Sequence, residues 1–274
     1  MEPYTMQDSL LHQKLSRLQV LLSEMGSVVV AYSGGIDSTF VLKVAHDQLH
    51  ENAIGITAVS PTFPTIELEA AERMAKEIGA RHEIVQTDQL TIDDFVRNDA
   101  ERCFHCKTDL YQLLGGLRES HAVAYVVDGT NLDDLGDDRP GIKAARAWGV
   151  RSPLVEAGLS KADIRTLAKE LGLSNWDKPA AACLSSRIPR GSMITLEKLH
   201  RVEEAEAVLH REGFHHFRVR NHGEIARIEV AKEELPRLMD PDRCSRVSRM
   251  VRELGFKFVT VDLEGYRPGG VTLR

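Results

Sequence analysis

The chain has 274 residues, 42% hydrophobic and 28% charged, which excludes a disordered or membrane-embedded protein and suffices for a buried core. Against 41 Asp and Glu stand 35 Lys and Arg, a net charge of −6 that argues against a general electrostatic hold on nucleic acid but leaves a local basic pocket open. Four cysteines are too few for a disulfide framework, no apolar run reaches the ~18 residues of a membrane helix, and no basic-then-apolar segment is visible, so a reduced, cytoplasmic protein is expected.

Leu11, Leu15, Leu18 and Leu22 recur at helical spacing, and the first 25 residues read as an amphipathic helix stopped at Gly26. A buried strand (27–32) follows, then Ser33-Gly34-Gly35-Ile36-Asp37-Ser38 and an apolar-periodic helix through Phe40, Val41, Val44 and Ala45. Strand 53–59, helix 66–78, strand 82–86, a helix from about 107 to 117 and strand 122–127 continue the alternation. Strands alternating with helices of this length predict right-handed crossovers and a parallel sheet covered on both faces, a doubly wound α/β domain. Residues 129–160 break the rhythm as a polar loop carrying Asp133, Asp134, Asp137, Asp138, Arg139, Pro140 and Gly141. A helix (161–171) and an irregular stretch (177–191) come next. Beyond them, helix 196–212, strands 217–221 and 224–230, helix 241–254 and strand 257–261 predict a small α+β domain. The division is placed at 1–187 and 188–274.

Segment 33–38 is the strongest chemical signal. Two glycines let a phosphate approach the backbone, and the following helix turns its unpaired N–H groups and positive dipole end toward it. Ser33 and Ser38 add hydroxyls, and Asp37 is suited to capping the helix or contacting Mg2+. The Gly-Lys-Ser/Thr of a Walker loop and the third glycine of a dinucleotide fingerprint are both missing. The segment resembles the pyrophosphate loop of the AMP-forming ATP pyrophosphatases, which implies an adenine nucleotide alpha-hydrolase-like fold and adenylation of a substrate oxygen by ATP.

Cys103 and Cys106 form a C-x-x-C, and Cys183 lies far downstream. Spacing alone leaves open a redox pair, half a zinc site, iron–sulfur ligands or three unrelated thiols. Cys244 falls on the apolar side of its helix and reads as a buried core thiol, and the arginines at 243, 246, 249 and 252 wind round that helix as mostly solvated residues. Arg218 and Arg220 alternate on one strand and so face the same way, with Ser186-Arg187 following Cys183. Spacing alone would make the pair solvated strand arginines. Trp148 and Trp176 sit in loop-like regions, where packing and substrate stacking are equally open.

The run Lys178-Pro179-Ala180-Ala181-Ala182-Cys183-Leu184-Ser185-Ser186-Arg187-Ile188-Pro189 resembles the signature of the LarE family of ATP-dependent sulfur transferases. Asp138 to Ala144, Phe217 to His222 and Asp262 to Arg267 match as well, so the resemblance spans nearly the whole chain. It implies that ATP adenylates a carboxylate of pyridinium-3,5-dicarboxylate mononucleotide, in the making of the nickel-pincer cofactor of lactate racemase, and that sulfur replaces the activated oxygen. It further implies that Ser186, Arg187, Arg218 and Arg220, with Glu206, hold the substrate phosphate, and that the protein is a homo-oligomer, a hexamer in the family. Some members sacrifice their own cysteine sulfur; others hold a 4Fe–4S cluster on three cysteines, the pattern that Cys103, Cys106 and Cys183 fit. A tRNA thiolase and an amidating synthetase of the NAD or GMP type are the rival enzymes, and a nucleotide- or metal-binding module is the rival without catalysis.

Overall fold

The computed structural model describes residues 6–135, 140–179 and 182–267. Asp137, Asp138 and Arg139 of the polar loop, and Ala180 and Ala181 of the signature, lie outside the described residues. In chain order the helices are α1 (Met6–Met25), α2 (Ile36–Leu49), α3 (Thr65–Ile78), α4 (Asp93–Val96), α5 (Arg102–Ser120) and α6 (Pro140–Ala147). Then come α7 (Pro153–Glu156), α8 (Lys161–Glu170), α9 (Leu196–Arg211), α10 (Leu235–Leu238) and α11 (Pro241–Glu253). The strands are β1 (Val28–Ala31), β2 (Ala53–Val59), β3 (Arg81–Gln86), β4 (Tyr125–Val127), β5 (Phe217–His222), β6 (Ile225–Val230) and β7 (Phe258–Val261). Among the described residues, no helix is long and apolar enough to cross a membrane.

The chain divides into two compact units, described separately. The first comprises residues 1–60, 65–87 and 103–181. Its sheet has the order β3-β2-β1-β4, every pair parallel, as the alternation of strands and helices predicts. Successive residues of β1 feed opposite faces, so Val28 and Val30 join one core and Val29 the other. On the first face pack Leu18 and Leu22 of α1, Phe40 and Val41 of α2, Ala71 and Met74 of α3, and Ile164 and Leu167 of α8. On the second, Tyr111 and Leu114 of α5 and Ala144 and Ala145 of α6 meet Ile54, Ile56 and Val126. Two helices, α6 and α7, stand within the stretch whose polarity predicts only loop. Burial of Ala144, Ala145 and Leu154 stabilises these short segments where local periodicity is weak.

The second unit comprises residues 61–64, 88–102 and 182–274. Its sheet has the order β5-β6-β7, with β5 antiparallel and β7 parallel to β6. The core gathers Ala205, Val208 and Leu209 of α9, Phe214, Val219 and Ile228, and Val247 and Val251 of α11. The segment around Asn98 is sewn to residues 185–194 by side-chain hydrogen bonds. Asn98 Nδ2 donates to the carbonyls of Pro189 (2.8 Å) and Ser192 (2.9 Å), while its Oδ1 accepts from Arg102, which also reaches the Ser185 carbonyl at 3.0 Å. Cys244 is half-buried rather than enclosed in the core. Of the α11 arginines, Arg243 and Arg246 pair with Glu212 (3.4 and 2.7 Å) at the surface, and Arg249 and Arg252 are exposed.

Candidate active site

The loop between β1 and α2 turns on Gly34. Its φ is +68°, and a Cβ there would lie 2.7 Å from that of Ala71, so backbone conformation and α3 both demand glycine. Gly35 differs. Its backbone is extended (φ −74°, ψ 157°), and an added Cβ would meet only Ser33 Oγ at 3.4 Å. The space in front of Gly35 is therefore open, at the start of a helix whose first amides have no intrahelical acceptor. Ser33 and Ser38 close the loop: Ser38 Oγ donates to the Gly35 carbonyl at 3.1 Å, accepts from Ser33 N at 3.2 Å and meets Ser33 Oγ at 3.2 Å. All five candidate residues of the loop are thus assembled in one turn.

The Asp37 carboxylate receives Lys161 Nζ at 2.6 Å and Asn131 Nδ2 at 3.4 Å. Lys178 Nζ lies 3.4 Å from the Gly34 carbonyl and 2.7 Å from Glu67, and Asn175 Nδ2 reaches Gly34 O and Thr39 Oγ1. Lys161, Lys178, Asn131 and Asn175 were not legible as loop residues, because each arrives from a distant segment. Local marks were left by the Ser160 capping box, which starts α8 at Lys161, and by the capping box of Asn131 itself with Asp134. Trp176 packs partly buried against the core with Lys169 Nζ 4.6 Å over its ring, whereas Trp148 is exposed.

Cys103 and Cys106 stand in the first turns of α5, which begins earlier than the periodicity of its apolar residues suggests. Three residues apart, the two half-buried thiols share one helix face. Lys107 stays charged well above the ordinary lysine range, through the field of Tyr111 and then Asp128, with Cys106 adding to it against the opposing effect of burial.

In the second unit, half-buried Cys183 precedes a turn of 3-10 helix, Leu184–Arg187. Arg187, 3% exposed, places Nε and Nη2 on the two oxygens of Glu206 at 2.9 Å each, and its Nη1 meets the Cys183 carbonyl at 3.0 Å and Ser186 Oγ at 3.1 Å. Burial opposes the Arg187 charge, yet Glu206 outweighs it and holds the guanidinium above its ordinary range. Glu206 also accepts from Val219 N at 3.0 Å, fixing α9 to β5. Arg220 forks onto Glu229 (3.0 and 2.8 Å) and donates to the Ser186 carbonyl at 3.1 Å. Arg218 lies 5.1 Å over the Tyr266 ring, and burial, then the neighbouring Arg187, lower its pKa. The structure thus brings Ser186, Arg187, Glu206, Arg218 and Arg220 into one cluster. Glu229 and Tyr266 are the additions; an acid between Ile228 and Val230 on a buried strand was the readable signal for the first.

No group of three or more His, Cys, Asp or Glu side chains gathers to hold a metal among the described residues of either unit. The donor chemistry of the cysteines, soft thiols with two of them one helical turn apart, fits an iron–sulfur group better than a hard cation.

The asparagine synthase family matches residues 21–105, the segment from the end of α1 through the phosphate loop to the first turn of α5. An uncharacterized protein of Synechocystis is 45% identical over 95% of this chain and 97% of its own. The pyridinium-3,5-bisthiocarboxylic acid mononucleotide synthase of Lactiplantibacillus plantarum is 39% identical over 93% of this chain and 92% of its own. A third relative, an uncharacterized protein of Methanocaldococcus jannaschii, is 31% identical over 93% and 98%. With a phosphate loop of this build and such identity across both units, the chain belongs to the LarE family of pyrophosphate-loop enzymes.

Proposed function

We propose that this enzyme uses ATP to adenylate a carboxylate of a pyridinium mononucleotide and then exchanges the activated oxygen for sulfur. The observation that carries the reading is the 39% identity, along nearly the whole chain, to a synthase whose name specifies a bisthiocarboxylic acid mononucleotide. In the first half-reaction a carboxylate oxygen attacks the α-phosphorus of ATP, and the bond to pyrophosphate breaks with its electron pair leaving on pyrophosphate. The open amides at the start of α2, with Ser33 and Ser38, stabilise that departing charge. Lys161 and Lys178 add cations beside the loop, and Asp37 is the carboxylate suited to the Mg2+ that accompanies ATP. In the second, a sulfur nucleophile attacks the acyl carbon and AMP leaves with the C–O electron pair.

Arg218 would contact the substrate phosphate, whereas Arg187 and Arg220 would shape the site from their carboxylate partners, with Ser186 between them. Cys103, Cys106 and Cys183 would hold a 4Fe–4S cluster, which when bound supplies sulfide for transfer. The test is multiple-turnover reaction with external sulfide, followed by mass spectrometry of the protein. More than one product per subunit with Cys183 unmodified is expected; a loss of about 34 Da at Cys183, the mark of thiol elimination, would establish a sacrificial cysteine instead.

A further inference from the structure

We propose that Tyr111 and Asp128 form an anchor that sets the position of the Cys103/Cys106 turn relative to the phosphate loop. The inference rests on the reading of these cysteines as sulfur-handling residues. After β3 and the 88–102 segment, helix α5 leads the chain back to β4, and β3 and β4 are both strands of one parallel sheet. A helix joining parallel strands starts on the side of their carboxyl ends, so its first turns lie on the side where the loop leaves β1. Thr87 Oγ1, just past β3, donates to Asp109 of α5 at 2.7 Å, and the register of the helix is set deeper in the interface by a buried polar contact. Tyr111, 2% exposed, donates its phenol to Asp128 Oδ2 at 3.1 Å.

Asp128, 4% exposed, follows the last residue of β4 and is itself held on every side. Its Oδ1 accepts from Thr130 N (3.1 Å) and Ser152 Oγ (2.8 Å), and its Oδ2 accepts also from Thr130 Oγ1 (2.8 Å). Its own amide donates to the Arg151 carbonyl at 3.0 Å. The next residue, Gly129, touches the start of α2 so closely that an added Cβ would sit 2.8 Å from Ser38 N and 3.1 Å from the Asp37 carbonyl carbon. One short path therefore runs from the α5 phenol through Asp128 and Gly129 to the Asp37-Ser38 backbone. At 1.5 Å per residue, Cys106 and Cys103 stand roughly 7.5 and 12 Å along α5 from Tyr111. Burial pushes the Tyr111 pKa up to about 12, so the phenol remains a donor under working conditions.

Tyr111→Phe removes the hydroxyl and keeps the buried ring. Loss of one buried hydrogen bond corresponds to a roughly five- to tenfold change in a local opening equilibrium. In the purified full-length variant, amide hydrogen exchange in peptides spanning residues 102–110 should speed up by about that factor, with peptides of α2 unchanged. With external sulfide, thiocarboxylate formation should fall by about tenfold, while substrate-dependent pyrophosphate release stays within about twofold of wild type. Asp128→Asn should shift the same readouts in the same direction. Unchanged exchange or unchanged sulfur transfer overturns the proposal, as does an equal loss of both half-reactions, which marks a general defect of the fold. Cys103→Ser is run in parallel. If it transfers sulfur at the wild-type rate, the reading of the cysteines has failed; if it is inactive in transfer and Tyr111→Phe behaves as wild type, the anchor alone has failed.

Discussion

The phosphate loop of the first unit presents backbone, from two glycines, two serines and the open end of a helix, with the Lys161–Asp37 and Lys178–Glu67 pairs beside it, whereas the cluster of the second unit is built from guanidinium and carboxylate groups. In the loop, specificity comes from what is missing: no Cβ at Gly34 or Gly35, and no intrahelical acceptors for the first amides of α2. In the cluster it comes from saturation. Glu206 and Glu229 hold Arg187 and Arg220 in fixed forks, and Arg218 lies against an aromatic face. A site made of backbone should fail through steric intrusion, and a site made of buried ions through loss of a partner.

The cluster should show the larger effect on stability. Glu229→Ala leaves Arg220 buried without its carboxylate, and breaking such a pair costs about 3–5 kcal/mol. Denaturant unfolding should register that loss, whereas the double change Arg220→Met with Glu229→Leu should cost much less. A double variant as unstable as the single one would show that shape, not charge, governs this region.

In the loop, the two neighbouring glycines should separate fold from function. Gly34→Ala forces a side chain into positive φ and against Ala71, and should destabilise the protein by roughly 1–3 kcal/mol. Gly35→Val should unfold like wild type yet release no pyrophosphate, because its side chain fills the space in front of the α2 amides. If folded Gly35→Val forms AMP at the wild-type rate, that space is not where ATP phosphates bind.

Arg218→Ala sharpens the contrast within the cluster itself. A charge-assisted hydrogen bond is worth about 1.5–3 kcal/mol, so mononucleotide affinity should drop about ten- to a hundredfold. ATP affinity and the unfolding midpoint should stay near wild type, measured by titration calorimetry and denaturation. An equal loss of ATP affinity would assign Arg218 to the nucleotide.

The smallest effect concerns the support beneath the loop. Thr57 Oγ1 donates its one proton to the Tyr32 carbonyl at 2.9 Å, so it accepts from His82 Nε2 at 2.8 Å. Burial lowers the His82 pKa below its ordinary 6.5, against a pull upward from Glu72. The folded state therefore binds fewer protons at this site than the unfolded chain. Its contribution to stability is present above pH 6.5 and fades as pH falls through the folded pKa. His82→Gln should flatten that acid-side decline; an unaltered pH profile would remove His82 from the account.

The amino-acid sequence by itself determined the alternation that makes the parallel sheet, the phosphate loop and the strand carrying Arg218 and Arg220. These are local or periodic features, and hydrophobic period, glycine geometry and residue spacing express them within a short window. Only the tertiary structure decided that Lys161 meets Asp37, that Tyr111 meets Asp128, that residues 88–102 belong with the second unit, and that Arg187 and Arg220 are held by acids while Arg218 stacks on Tyr266. Each of those pairings joins residues set by different elements. A hydrogen bond or ion pair forms only where packing of the apolar faces brings donor and acceptor within about 3 Å, and that distance is a property of the assembled fold.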